Sequence, residues 1–212
     1  IAMNFANSAI KGNLPIELLQ ASFPSLSAVS LQNNRLAGDL LEDVAWVSGL
    51  SILDIENNLF EGFLTESILR IAQLNIKGNT IWCPAPKGFN GDCTRVSLND
   101  VTPGKASMSG GDIIKLIGEN LPQHAQVSCI FGDISVLAIM KDKESLQCKT
   151  PSHIPGITNL GLNYKSKKLA INTIPFTFTV ECPQGSFIDI KTETKCLSCP
   201  QGGYCEGGKN RI

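Results

Sequence analysis

Residues Leu26–Leu40 read LSAVSLQNNRLAGDL, and 24 residues further on Leu50–Leu64 read LSILDIENNLFEGFL. Superimposed, Leu26, Val29, Leu31, Asn34, Leu36, Gly38 and Leu40 fall on Leu50, Leu53, Ile55, Asn58, Phe60, Gly62 and Leu64. Self-similarity at a fixed period of about 20–50 residues marks units that stack because none can bury its apolar face alone. The leading aliphatics flank a short strand and point inward. The Asn that follows carries two donors and an acceptor, which suits it to satisfy buried backbone groups where each coil turns. Upstream, Met3, Phe5, Ser8, Ile10, Gly12, Leu14 and Pro15 fit the same template, with Ser in the Asn slot. Downstream, Ile71, Leu74, Ile76, Asn79 and Ile81 fit it again.

This pattern resembles the leucine-rich repeat, and Ile10–Pro15 resembles its plant-type class. The resemblance implies a curved solenoid over residues 1–98, with Asn34, Asn58 and Asn79 as a structural ladder. It also implies short helical turns on the convex side over Ile16–Ser22 and Glu42–Ser48. Its concave strip would carry Asn4, Asn7, Ser30, Gln32, Asp54, Glu56, Gln73, Asn75 and Lys77 as candidate binding residues. That strip lacks the aromatic and Arg anchors that dominate protein-binding hot spots. A solvated face, a glycan or a wet, weak contact suits it better. Cys83 and Cys93, in NTIWCPAPKGFNGDC, resemble the disulfide-closed cap that follows extracellular repeats of this kind, with Trp82 and Phe89 as apolar plugs. An exposed array end needs such a cover. None is visible before Ile1, so adjoining protein or a neighbouring copy is expected there.

From Asn99 the period falls to 2 in IIKLIG, QVSCIFG, TNLGLNY and FTFTV, which are bounded by Gly and Pro. Such segments predict an antiparallel β-sandwich over residues 99–180. VTPGKASMSGGDIIKLIGENL at 101–121, CIFG at 129–132, CKTPSHIPG at 148–156 and FTFTV at 176–180 resemble the IPT/TIG domain, an immunoglobulin-like fold. In that family such domains touch DNA in transcription factors and act as spacers or contacts in surface receptors. Gly110, Gly111 and Gly118 are expected in turn conformations closed to residues bearing Cβ. Cys129 and Cys148 are expected to pair. Lys165, Lys167 and Lys168 read as a solvated hairpin tip rather than a phosphate track, given a net charge of −1.

Residues 181–212 form a stretch too short to build a core unaided, so covalent staples are needed. CPQGSF and CPQGGY resemble the Cys-Pro-x-Gly-x-aromatic unit of ephrin-receptor and growth-factor-receptor modules. Cys182 with Cys196 and Cys199 with Cys205 is the expected pairing, although four cysteines allow three connectivities. Zinc is the competing reading of Cys196-x-x-Cys199, but a four-Cys site usually draws on two such knuckles and only one is present.

The fold class is thus mainly β and multi-domain: solenoid, immunoglobulin-like sandwich and small disulfide-rich module. An apolar share of 42% and a charged share of 17% fit folded domains, and the even count of 8 cysteines fits an extracellular setting. No Asn-x-Ser/Thr sequon occurs, which excludes N-glycosylation of this stretch. No apolar run approaches the roughly 20 residues of a membrane span. His124 and His153 lie near no nucleophile motif, and no phosphate-cradling loop, HExxH or GxSxG is present. The sequence therefore predicts no enzyme, no cofactor, no metal and no nucleic-acid partner. It predicts a non-catalytic structural or adhesive surface protein that contacts itself, other surface proteins or glycans, and that builds a filament. The alternative is the ligand-binding ectodomain of a receptor.

Overall fold

The computed structural model describes residues 1–14, 22–39, 49–189, 191 and 195–208. The expected convex turns over 16–22 and 42–48 lie outside these residues, apart from Ser22. The regular structure of the described residues is mainly β, and the chain divides into two compact units: Ile1–Arg95 with Pro122–Ala125, and Val96–Leu121 with Gln126–Ile212.

In the first unit each repeat contributes two short strands, and equivalent strands stack in parallel. β1 (Ala2–Asn4), β3 (Ala28–Ser30), β5 (Ile52–Asp54) and β7 (Gln73–Asn75) form one four-stranded sheet in that order. β2 (Lys11–Asn13), β4 (Arg35–Gly38), β6 (Leu59–Phe63) and β8 (Thr80–Trp82) form the other. Register follows the repeat: Met3, Val29, Leu53 and Leu74 lie side by side, so like residues meet like. The aliphatics that recur in sequence, among them Leu26, Leu31, Leu36, Leu53, Ile55 and Phe60, form one buried cluster. Between β6 and β7 the chain makes a 3-10 helix, Glu66–Arg70, that buries Ile68. Trp82 is fully buried with its ring edge-on to Phe63, and the Cys83–Cys93 disulfide closes the loop beyond it.

The second unit is built mainly of antiparallel strands. β9 (Ser97–Thr102), β10 (Lys105–Ser107), β11 (Ile113–Glu119), β12 (Val127–Phe131), β13 (Ile134–Asp142), β14 (Ser145–Lys149), β15 (Gly156–Tyr164) and β17 (Ile174–Thr179) run in the order 10-17-15-12-13-14-11-9. β16 (Lys167–Lys168) pairs with β15. β13 pairs with β12 on one side and β14 on the other. Strands two apart in a flat sheet would be separated by about 9.6 Å. Cys129 of β12 and Cys148 of β14 are 6.4 Å apart at Cα and disulfide-bonded, so the sheet folds over at β13. Ile114, Leu116 and Leu146 are buried, as are Phe131, Phe176 and Phe178, whose rings meet edge to face. Among its described residues the C-terminal stretch adds the hairpin of β18 (Ser186–Ile188) and β19 (Cys196–Ser198), stapled by Cys182–Cys196 and Cys199–Cys205.

Replacing Cys129 and Cys148 together by Ala should lower stability by about 3 kcal/mol, the chain-entropy value for a loop of this order. Both cysteines are buried, so the lost packing adds to the loss. Urea unfolding of the double variant checks it, and an unchanged midpoint would mean that the strands alone hold the fold-over.

Two glycine expectations hold and one does not. Gly110 and Gly111 have left-handed φ values of +72° and +95°. Gly118 instead sits inside β11, at a register shift against β9, and not in a turn. It is needed because a Cβ there would overlap the carbonyl oxygen of Ser97.

Candidate functional site

The candidate contact face is the strand row of the first unit. Register sets Asn4, Ser30, Asp54 and Asn75 side by side across β1, β3, β5 and β7, with Gln73 beside Ile52 one residue pair away. This row is knitted internally. Asn4 Oδ1 accepts from the N–H of Ala6 at 3.0 Å and Asp54 Oδ1 from that of Glu56 at 3.1 Å. Asn75 Nδ2 donates to Glu56 Oε2 at 3.1 Å. Gln32 is half-buried, and Lys77 is exposed. Asn7 is not part of the row. Its φ of 55° is left-handed, as are those of Asn33 (59°) and Asn57 (53°). These three make a second, exposed ladder: Asn33 Nδ2 donates to Asn7 Oδ1, and Asn57 Nδ2 to Asn33 Oδ1. Asn tolerates this conformation better than most residues bearing a Cβ.

Beneath the row lies the buried ladder. Asn34 Nδ2 donates to the carbonyls of Phe5 and Leu31, both at 2.8 Å, while its Oδ1 accepts from the N–H of Ser8 and Ile10. Asn58 repeats the arrangement one coil on, donating to Leu31 and Ile55 and accepting from Leu36. Asn79 does so again with Ile55, Ile76 and Phe60. Each Asn thus ties its own coil to the preceding one. Ser8, in the corresponding slot, reaches only its neighbour Ala6.

Sequence reasoning missed one buried carboxylate. Glu61 is 4% exposed, and its two oxygens accept from the backbone N–H groups of Gln123, His124 and Ala125, all in the first unit. No local pattern announces partners 62–64 residues away.

The remaining polar features are dispersed. The His153 ring stacks on Phe178 at 4.5 Å, and its Nδ1 lies 2.7 Å from the Ile154 carbonyl. Lys165, Lys167 and Lys168 are exposed around the β15–β16 hairpin, with Lys165 Nζ 5.4 Å from the Tyr164 ring centre. Hydrogen bonds from Ser145 Oγ and the Glu144 N–H hold the Asp142 carboxyl below the usual carboxylate range, with Lys115 adding to the effect. Among the described residues no group of His, Cys, Asp and Glu is placed to hold a metal, and no helix is long and apolar enough to cross a membrane.

Comparison with known proteins bears on the second unit. The IPT/TIG domain family matches residues 96–180, so an IPT/TIG domain is present there. Transcription factor COE4 of Homo sapiens is 33% identical over 72 residues, which cover 34% of this chain and 12% of that protein. Its Mus musculus counterpart is 32% identical over the same length. Among solved structures, the extracellular region of plexin A4 is similar over 40% of this chain and 9% of its own, at 20% identity and a TM-score of 0.35. An auxiliary nutrient binding protein from Bacteroides thetaiotaomicron is similar over 47% and 25%, at 18% identity and a TM-score of 0.34. The chain therefore spans about an eighth of the curated relatives it matches, with 12% of each covered.

Proposed function

We propose that this chain is part of a non-catalytic extracellular ectodomain that recognises protein partners. The observation that carries the reading is covalent: all four cystines are closed and no free cysteine remains among the described residues. Such a density of disulfides belongs to an oxidising compartment. In this reading residues 1–98, nearly all of them in the first unit, form a leucine-rich-repeat solenoid, supported by the parallel register and the Asn ladder. The row Asn4, Ser30, Asp54 and Asn75 is the recognition surface. The IPT/TIG domain over 99–180 and an ephrin-receptor-like module over 181–212 serve as spacer or secondary contact. The filament expected from the sequence has no observation of its own, and the receptor reading replaces it. Glycans remain a partner class for the polar row, because self-paired carboxylate and amide groups of this kind suit wet contacts.

A second reading is favoured by one observation, the likeness of 72 residues to a transcription factor. Mass measurement separates the two. Secreted protein under non-reducing conditions should be lighter by eight hydrogens than its reduced form, and eight free thiols in the native protein would overturn the ectodomain reading. Ser30→Arg in the middle of the row should abolish capture of an ectodomain partner without moving the melting temperature.

A further inference from the structure

The first unit contains two hydrogen-bond series that run out. The inner-row N–H of each coil donates to the next strand: Phe5 to the Ser30 carbonyl, Leu31 to Asp54, and Ile55 to Asn75. The fourth member is Ile76, and no acceptor stands beyond it among the described residues. A parallel series runs from Asn7 to Gln32, Asn33 to Glu56 and Asn57 to Lys77, and its fourth member is Gly78. β7 is bonded to β5 through Gln73, Asn75 and Lys77, so by strand alternation the backbone groups of Leu74 and Ile76 face the opposite edge.

This opening is not a simple end of the chain. The polypeptide continues past it, and the loop closed by Cys83–Cys93 covers the other sheet: Cys83 N–H donates to the Thr94 carbonyl and Thr94 N–H to that of Ile81. The same loop makes no backbone hydrogen bond to β7. In its place is a cavity of about 480 Å³ lined by Leu69, Leu74, Ile76, Ile81 and Phe89, with Lys77 and Asp92 also lining it. The volume lies within the ~300–1,000 Å³ range of ligand sites.

We propose that β7 is a docking edge for an extended peptide, which adds to the sheet as a fifth strand. Its carbonyls take the N–H groups of Ile76 and Gly78, its N–H takes the Leu74 carbonyl, and an aliphatic side chain fills the cavity against Leu69, Leu74 and Phe89. Unpaired backbone donors spaced as a strand edge are matched by another backbone, and the apolar cavity beside them supplies the side-chain anchor that strand addition uses for selectivity. The cavity adjoins the polar row at Asn75 and Lys77, which also line it, and the proposal holds whichever compartment the protein occupies.

The test uses the full chain and an acetylated, amidated hexapeptide of alternating leucine and threonine. Amide exchange followed by NMR should slow at Ile76 and Gly78 on titration, with shifts at Leu74 and Phe89. N-methylation of the peptide amide that faces β7 should weaken binding about tenfold, the equivalent of one net backbone hydrogen bond. Methylation on the opposite edge should not weaken it. Equal binding of both methylated peptides would reduce the site to apolar capture and overturn strand addition. Absence of protection at millimolar peptide would overturn it too. Slow exchange at Ile76 and Gly78 that rises with protein concentration, without peptide, would assign the edge to a second copy instead.

Discussion

Asn58→Leu is expected to destabilise the protein by about 2–4 kcal/mol. The side chain is 5% exposed, and all its polar capacity is committed: Nδ2 to the carbonyls of Leu31 and Ile55 at 2.9 and 3.1 Å, and Oδ1 to the N–H of Leu36 at 3.0 Å. Leucine matches the amide in size but offers no hydrogen bond: the Leu31 and Ile55 carbonyls keep the amides of Asn34 and Asn79, at 2.8 Å each, while the Leu36 N–H is left without its acceptor. A buried N–H left unsatisfied costs about 1–3 kcal/mol and each net hydrogen bond lost about 0.5–1.5 kcal/mol, with some relief from relaxation. Asn58→Asp keeps an acceptor for Leu36 but brings a charge against two carbonyls, so it should be no better tolerated. Asn57→Gly is the internal control. Its neighbour position is exposed and left-handed, a conformation glycine adopts freely, so the change should stay within about 0.5 kcal/mol. Urea unfolding followed by the fluorescence of buried Trp82 measures both. Equal midpoints for Asn58→Leu and the parent would show that the Leu36 N–H finds another partner and that the ladder does not bind the coils together.

The contrast between Asn57 and Asn58 also marks how far the sequence can be read. The buried Asn is legible because it recurs among aliphatics at a constant offset, and hydrophobic spacing decides which side chains turn inward. The exposed Asn beside it recurs equally often, yet its role depends on a backbone angle that no apolar pattern reports. The pattern accordingly places Asn7 on the strand row, where its left-handed φ does not put it. The alternating runs of the second unit are legible for the same reason as the buried ladder. The folding of the sheet at β13 is not, because Ile134–Asp142 has no Gly or Pro to signal it and alternates between half-buried and exposed residues as an unbent strand would. Glu61 was invisible altogether: a carboxylate in an apolar stretch reads as solvated until its distant N–H donors are in view. The open edge of β7 was hidden for a related cause, since the disulfide that marks a cap in sequence does not say which of two sheets it covers.

Gly118→Ala should cost about 3 kcal/mol, although the residue has no left-handed angle to protect. A methyl group there would coincide with the Ser97 carbonyl oxygen and approach Leu121 Cδ2 to 3.0 Å. The first of these is backbone in β9, which is itself held by Asn172, whose Nδ2 donates to the Leu98 carbonyl at 2.7 Å and whose Oδ1 accepts the Leu98 N–H. A flexible side chain could swing aside, whereas a tethered strand must move as a whole, and overpacking of that kind costs about 1–3 kcal/mol or more. Gly161→Ala supplies the comparison within the same unit. It too is a buried strand glycine, but its added methyl would meet only Thr173 Cγ2, at an ordinary 3.4 Å. That variant should lie within about 1 kcal/mol of the parent. Thermal unfolding ranks the two, and amide exchange locates the damage: Gly118→Ala should speed exchange across Ser97–Thr102 and Gly161→Ala should not. Were the two variants equally stable, β9 would be free to yield, and the close approach at Gly118 would be an incidental feature of the fold.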